Sequence, residues 1–72
     1  NKDITEPIII DRIVMTFTTD GTLYGYDIES GNMVYQEEYG YDIHPKTEFI
    51  VEKNNIYFQT SDGETIHLRV NL

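Results

Sequence analysis

The chain has 72 residues, no cysteine, no tryptophan and a formal net charge of −8 at pH 7. A chain of this size buries only about 60% of its unfolded surface, and it has no disulfide to strengthen so small a core. Thirteen acidic residues against five basic ones repel phosphate backbones, which argues against nucleic-acid binding. No apolar run approaches the roughly 20 residues of a membrane span, and the lack of cysteine leaves the cellular compartment undecided.

Strand signals dominate the chain from its amino-terminal part onward. Short runs of β-branched and aromatic residues lie between clusters of Gly, Asn, Asp and Ser. Apolar positions do not recur at helical spacing over any window of about eleven residues. We predict seven strands, at Ile8–Asp11, Ile13–Thr18, Leu23–Ile28, Met33–Tyr39, Glu48–Glu52, Ile56–Gln59 and Thr65–Val70.

Four tight turns are predicted between these strands, each from residues that tolerate positive φ at low steric cost. The longest loop is predicted at 40–46, where Pro45 ends regular pairing and pushes His44 toward extended geometry. The turns are Asp20-Gly21, Ser30-Gly31, Asn54-Asn55 and Asp62-Gly63.

The sequence overlies itself when it is shifted by about 42 residues. This shift predicts a single all-β segment at 1–72, with a blade-like repeat at 5–46 and a partial repeat at 47–72, about 1.7 repeats in all. A period of about 40 to 45 residues with four antiparallel strands is typical of a β-propeller blade. The identical pairs are Thr5 with Thr47, Glu6 with Glu48, Ile8 with Ile50, Thr18 with Thr60, Asp20 with Asp62, and Gly21 with Gly63.

Alternation along the strands predicts how the two repeats differ. The second repeat has one apolar side and one polar side, whereas the first has apolar residues on both. We therefore expect the second repeat to be terminal or partly exposed. A single small β-sandwich or barrel built from both units is the alternative. In the second repeat Ile66, Leu68 and Val70 alternate with Thr65, His67 and Arg69, and in the first Ile13, Met15 and Phe17 alternate around Val14.

The segment DGTLYGYDIESGNMVY, at 20–35, resembles the blade motif of the pyrroloquinoline-quinone-type (quinoprotein-like) propeller repeats. In that motif Asp-Gly precedes an apolar strand, Leu-Asp, a turn ending in Gly and a strand closing on Trp. Tyr35 stands where the family has the tryptophan that docks blades together, and Arg69 replaces the aspartate in the second repeat. The resemblance implies a propeller blade, but nothing resembles a quinone pocket, so no cofactor and no dehydrogenase activity are expected. The matching residues are Asp20, Gly21, Leu23, Tyr24, Asp27 and Gly31.

Residues that could carry catalysis are few. Ser30 and Ser61 lie in turn signals, where a serine hydroxyl usually bonds its own turn. Nucleophilic catalysis needs a nucleophile, a base and an orienting group together, and no such set is evident. We expect the chain not to be an enzyme, with a fragment of a larger propeller enzyme as the remaining enzymatic alternative.

Acidic residues offer no clear metal site. Glu37 and Glu38 are adjacent in a predicted strand, so their side chains point to opposite sides. Together with Asp42 and His44 they could bind a divalent cation, but their spacing matches no known metal-binding loop. The aspartates of the turn signals (Asp20, Asp27 and Asp62) are expected to bond nearby backbone amides.

Tyr39, Tyr41, Asp42 and His44 form a candidate binding patch at the mouth of the predicted loop. Tyrosine provides a large contact area with one polar tip, and we expect Tyr39 and Tyr41 to be the most exposed tyrosines.

The leading functional hypothesis is a non-enzymatic β-propeller-type repeat segment that acts as a scaffold or protein-binding surface. Four blades at this period would need roughly 170 residues, so the chain cannot close a wheel alone. The expected partners are another protein, further blades, or other copies joined through sheet edges. The alternative is an autonomous small β domain that binds a ligand, sugar or surface receptor through the Tyr39–His44 loop.

Overall fold

The computed structural model describes residues 3–71, which form an all-β structure without a helix. The strands make two antiparallel sheets, the first in the order β1-β2-β3-β4 and the second in the order β5-β6-β7. Each sheet has two open edges, so the described chain does not close into a barrel. The strands are β1 Ile8–Ile10, β2 Ile13–Phe17, β3 Thr22–Asp27, β4 Met33–Glu38, β5 Ile50–Glu52, β6 Asn55–Gln59 and β7 Thr65–Arg69.

The predicted fold class is confirmed at the level of strands and sheets. Every predicted strand corresponds to an observed one, and the ends differ by two residues at most. The largest difference is at β5, which begins at Ile50 rather than Glu48. There the amide of Thr47 donates to the carbonyl of His44 at 3.0 Å, so the chain is still turning where the prediction already places a strand.

The two sheets have the same register at an offset of 42 residues. In the first sheet Ile9 lies opposite Val14 and Val14 opposite Tyr26. In the second sheet Val51 lies opposite Ile56 and Ile56 opposite Leu68, each 42 residues later. Tight turns recur at the same offset, because Asp11 and Lys53 both have a φ of 54°. Backbone geometry is therefore compatible with two blade-like units.

The predicted Asn54-Asn55 turn is wrong by one residue. The turn is made by Lys53 and Asn54, and Asn55 already begins β6. Asparagine adopts positive φ more readily than lysine, which favours the predicted position. The sheet register overrides this preference, because moving the turn by one residue would expose the apolar side of β6.

The Asp20-Gly21 and Asp62-Gly63 turns have nearly the same hydrogen bonds. The amides of Gly21 and Gly63 donate to the carbonyls of Thr18 and Thr60, at 2.9 and 3.0 Å. The hydroxyls of Thr18 and Thr60 bond the carboxylates of Asp20 and Asp62. Each hydroxyl also accepts the amide four residues later at 3.1 Å, so each threonine stabilises its turn.

The Ser30-Gly31 turn is stabilised by the aspartate that precedes it. One carboxylate oxygen of Asp27 accepts the amides of Glu29 and Ser30, at 2.8 and 3.0 Å. The amide of Gly31 donates to the Asp27 carbonyl at 2.8 Å. This pattern is an Asx turn, the structural role expected for Asp27.

The hydrophobic core lies between the two sheets. Phe17 of β2 packs on Phe58 of β6 with ring centroids 5.2 Å apart, and it stacks on Phe49 at 5.5 Å. We call the side of each sheet that faces the other its core side, and the opposite side its outer side. The buried apolar residues are Ile8, Ile10, Met15, Phe17, Leu23, Ile43, Ile56, Phe58, Leu68 and Val70.

The two sheets bury different sides of the repeated unit. Met15 and Phe17 are fully buried on the core side of the first sheet. Their equivalents 42 residues later, Tyr57 and Gln59, lie on the outer side of the second sheet. The sheets therefore stack head to tail, as successive repeats of an array do. The polar outer side expected for the second repeat is confirmed, since Thr65, His67 and Arg69 are exposed.

Candidate functional site

Residues 39–49, here called the connector, join the two sheets and contact the Asp-Gly turn of each. At the first turn, the amides of Tyr39 and Gly40 donate to the carbonyl of Gly21, at 2.9 and 3.3 Å. At the second turn, the amide of Ser61 donates to the carbonyl of Asp42 at 2.8 Å. The connector is thus held by backbone hydrogen bonds at both turns, although most of it has no regular secondary structure.

Ile43 anchors the middle of the connector. Its side chain is 1% exposed within the core, and its amide donates to the carbonyl of Thr19 at 3.0 Å. The sequence predicts a loop here, without Ile43 in the core. The one sequence feature that indicates burial of Ile43 is its apolar side chain between two polar residues, Asp42 and His44.

Tyr39 and Tyr41 pack against the core instead of projecting into solvent. Both are half-buried, and their rings stack with centroids 6.0 Å apart. The Tyr39 ring also lies 6.3 Å from that of Phe17, and the Tyr41 ring lies 6.0 Å from that of Phe58. The most exposed tyrosine is Tyr26. The prediction that Tyr39 and Tyr41 are the most exposed tyrosines is therefore wrong.

The hydroxyl groups of Tyr35 and Tyr39 form a hydrogen-bonded pair at 2.9 Å. Burial raises the pKa of Tyr39 well above its ordinary value, and the hydrogen bond with Tyr35 and the nearby charge of Glu37 act in the same direction. Tyr39 is therefore protonated at neutral pH and serves as a hydrogen-bonding group, not as a base.

Asp42 and His44 are exposed, and His44 borders a cavity. The His44 Nδ1 atom accepts the amide of Lys46 at 3.0 Å, which fixes the ring against the turn that Pro45 begins. The four residues of the predicted patch therefore do not form one continuous binding surface. Two tyrosines pack inward, the Asp42 carbonyl is bonded to the second turn, and the imidazole reaches a groove.

The groove beside His44 is open and has a volume of about 780 Å³. It lies where the pairing between β5 and β6 stops. In the first sheet the equivalent position is closed, because the amide of Thr5 donates to the Phe17 carbonyl at 2.9 Å. The groove is lined by both polar and apolar side chains, which include Lys46, Gln59, Phe49 and Ile50.

Across residues 3–71, no group of three or more acidic or histidine side chains is placed to hold a metal ion. Glu37 and Glu38 lie opposite Leu23 and Thr22 in the sheet and project from opposite sides of β4. In the same range no helix has the length and apolar character needed to cross a bilayer.

In comparisons with known proteins, no family model and no curated protein matches this chain.

Proposed function

We propose that this chain is a non-enzymatic repeat segment of the β-propeller type, which serves as a scaffold or protein-binding surface within a larger chain or assembly. The observation that carries this proposal is the head-to-tail stacking of two sheets in the same register. In such an array, each unit is completed by its neighbours and not by its own core. A propeller is one array of this kind.

The open edge of β7 supports an assembly role. In the register of the repeat, β7 occupies the place that β3 occupies in the first sheet. In the first sheet, β4 covers the free edge of β3. The second sheet has no such fourth strand among the described residues, so Thr65–Arg69 present an unpaired strand edge. Unpaired edges bind strands supplied by other segments or partners.

The positions of the polar side chains support a role without catalysis. The hydroxyl of Ser30 accepts the amide of Asn32 at 3.2 Å, within its own turn. His67 is bonded to Asn55 at 2.9 Å and stacks on Tyr57 at 4.6 Å on the outer side of the second sheet. Ser30 and His67 are thus bonded to neighbours in their own turn and sheet, and are not paired with each other as a nucleophile and base.

The alternative, an autonomous domain that binds a ligand through the Tyr39–His44 loop, has weaker support. Tyr39 and Tyr41 already contribute their rings to the core, so only part of each ring is available to a ligand. We therefore place the partner-binding surfaces of this chain on its sheets.

Urea unfolding at several protein concentrations, with light scattering on the same samples, tests the proposed function. An incomplete array should have a free energy of unfolding below about 5 kcal/mol, the lower end for native domains. If the chains associate, the free energy of unfolding should instead rise as the protein concentration is increased from about 10 µM to 1 mM. A chain that stays monomeric and unfolds with more than about 5 kcal/mol at every concentration would contradict the proposal.

A further inference from the structure

The outer side of the first sheet carries a continuous apolar row. One residue from each strand contributes to it, since Ile9 lies opposite Val14, Val14 opposite Tyr26, and Tyr26 opposite Met33. Ile9, Tyr26 and Met33 are 62%, 40% and 51% exposed, and Val14 is half-buried. Nothing in the described chain covers this row, although contiguous apolar surface of this kind usually marks a contact site.

The repeat itself indicates what covers this side. The residues 42 positions after Val14 and Tyr26 are Ile56 and Leu68, which are buried in the core. In the second sheet, this same side of the repeat packs on the core side of the first sheet. That covering surface is apolar and consists of residues such as Ile8, Met15, Phe17 and Leu23.

The opposite end of the stack has different chemistry. The equivalents of Met15, Phe17 and Leu23 on the outer side of the second sheet are Tyr57, Gln59 and Thr65. These replacements turn an apolar surface into a polar one. Terminal repeats of arrays have polar outer sides because no neighbour covers them. Ile50, the equivalent of Ile8, stays apolar and exposed on this side, so the outer side of the first sheet is the more apolar of the two and the better suited to an apolar neighbour.

We infer that the outer side of the first sheet, centred on Val14, is the docking surface for one more antiparallel sheet of this same 42-residue repeat, joined ahead of residue 3. The neighbouring sheet presents an apolar side like that formed by Met15, Phe17 and Leu23. The inference rests on the proposed function and adds the surface, the direction and the chemistry of the partner. Residues 3–7 precede β1 as residues 45–49 precede β5, so the chain has a route to this neighbour.

An extended chain tests this directly. Residues 1–46 are placed before residues 5–72, so that Lys46 is followed by Thr5 as it is normally followed by Thr47. The added sheet then offers its core side to the Val14 row of the original first sheet. We expect urea unfolding of the extended chain to show a stability gain over the 72-residue chain.

The same substitution at two places in the extended chain supplies the control. Val14→Lys in the original copy puts a charge into the new contact, whereas Val14→Lys in the added copy leaves the charge on an uncovered side. We expect the first to raise the unfolding equilibrium constant by about tenfold or more beyond the second, since it removes a buried valine. Both substitutions leave the strand pairing of Val14 unchanged, and Val14→Lys in the 72-residue chain shows that the variant folds.

The inference would be overturned if the two substitutions lowered the free energy of unfolding equally. It would also be overturned if the extended chain were no more stable than the 72-residue chain. Self-association of the 72-residue chain that Val14→Lys abolishes would also overturn it, because a second copy would then be the natural cover. A different result would contradict the proposed function, namely an unextended chain that stays monomeric and is fully stable. If only the extended chain fails, the assembly role stands and this docking surface does not.

Discussion

At the scale of single residues, Gly21 and Gly63 form a matched pair with different surroundings. Their φ angles are 94° and 92°. A Cβ atom at Gly21 would lie under 3.0 Å from backbone atoms of Gly40 and Tyr41, whereas one at Gly63 would meet nothing within 4 Å. The connector thus packs directly on Gly21, whereas it bonds the second turn at Ser61 and leaves Gly63 itself uncovered.

Alanine substitutions separate backbone strain from this close approach. We expect Gly63→Ala to cost about 1–2 kcal/mol, the strain of a left-handed backbone for a residue with Cβ. Gly21→Ala should cost about 1–3 kcal/mol more, because the connector must also move. Urea unfolding of both variants measures the difference, and equal losses would show that the connector does not press on Gly21 in solution.

Single residues also show where prediction from sequence stops. Asp20 and Gly21 carry a strong local signal, and their turn is found where it was predicted. Lys53 carries none, because lysine has no preference for the φ of 54° that it adopts. Its conformation is imposed by the pairing of β5 with β6, which is a property of the whole hairpin.

At the scale of elements, both Asp-Gly hairpins have a threonine hydroxyl that accepts the amide four residues later. The two hairpins differ in how deeply this hydrogen bond is buried. The Thr18 hydroxyl accepts the amide of Thr22, which is buried. The Thr60 hydroxyl accepts the amide of Glu64, and this bond is only partly buried because Glu64 is an exposed residue. Water therefore reaches the second amide more readily than the first.

Valine substitutions should therefore have unequal effects. Thr18→Val should destabilise the chain by about 1–3 kcal/mol, the cost of an unsatisfied buried amide. Thr60→Val should cost about 0.5–1.5 kcal/mol, as expected for an ordinary hydrogen bond. Thermal unfolding of the two variants compares them, and a larger loss at Thr60 would mean that the second turn is the more buried one.

The positions of the strands are the feature of the fold that the sequence predicts best. Alternation of apolar and polar residues in β6 and β7 identifies both the strands and the buried side of Ile56, Phe58 and Leu68. The start of β5 was not predictable from alternation. Glu48 and Phe49 fit a strand pattern, but the turn at His44 and Thr47 keeps the backbone from pairing there.

At the scale of the whole molecule, Phe17 joins the two sheets through contacts with Phe49 and Phe58. The backbone hydrogen bonds described between the two halves run through the connector, to Thr19 and Ser61, and the facing sides of the sheets meet through packed side chains. A defect at Phe17 should therefore weaken both sheets, even though the residue belongs to β2 alone.

Phe17→Leu should destabilise the chain by about 1–3 kcal/mol. We expect amide hydrogen exchange to become faster in β6 as well as in β2, because the sheets open together. Ile50→Ala is the control, since Ile50 is 69% exposed and such changes usually stay within about 0.5 kcal/mol. Faster exchange restricted to β2 would show that the two sheets unfold independently.

The candidate site was the least predictable feature, because it depends on long-range packing. Sequence reasoning places Tyr39 and Tyr41 beside a loop, and loop tyrosines are usually accessible. In the structure both rings pack on phenylalanines from different sheets, Phe17 and Phe58. The apolar row on the outer side was equally hidden, since it becomes visible only when the register places Ile9, Val14, Tyr26 and Met33 side by side.

The constant displacement between the two sheets has a consequence for how the gene can change. Ladder partners in β5–β7 are all 42 residues beyond their counterparts in β1–β3. An in-frame duplication or deletion of that length therefore leaves each strand aligned with its neighbours, wherever the breakpoints fall. Indels of other lengths inside a strand would instead reverse or misalign its sides, so the length of a tolerated insertion is constrained more tightly than its position.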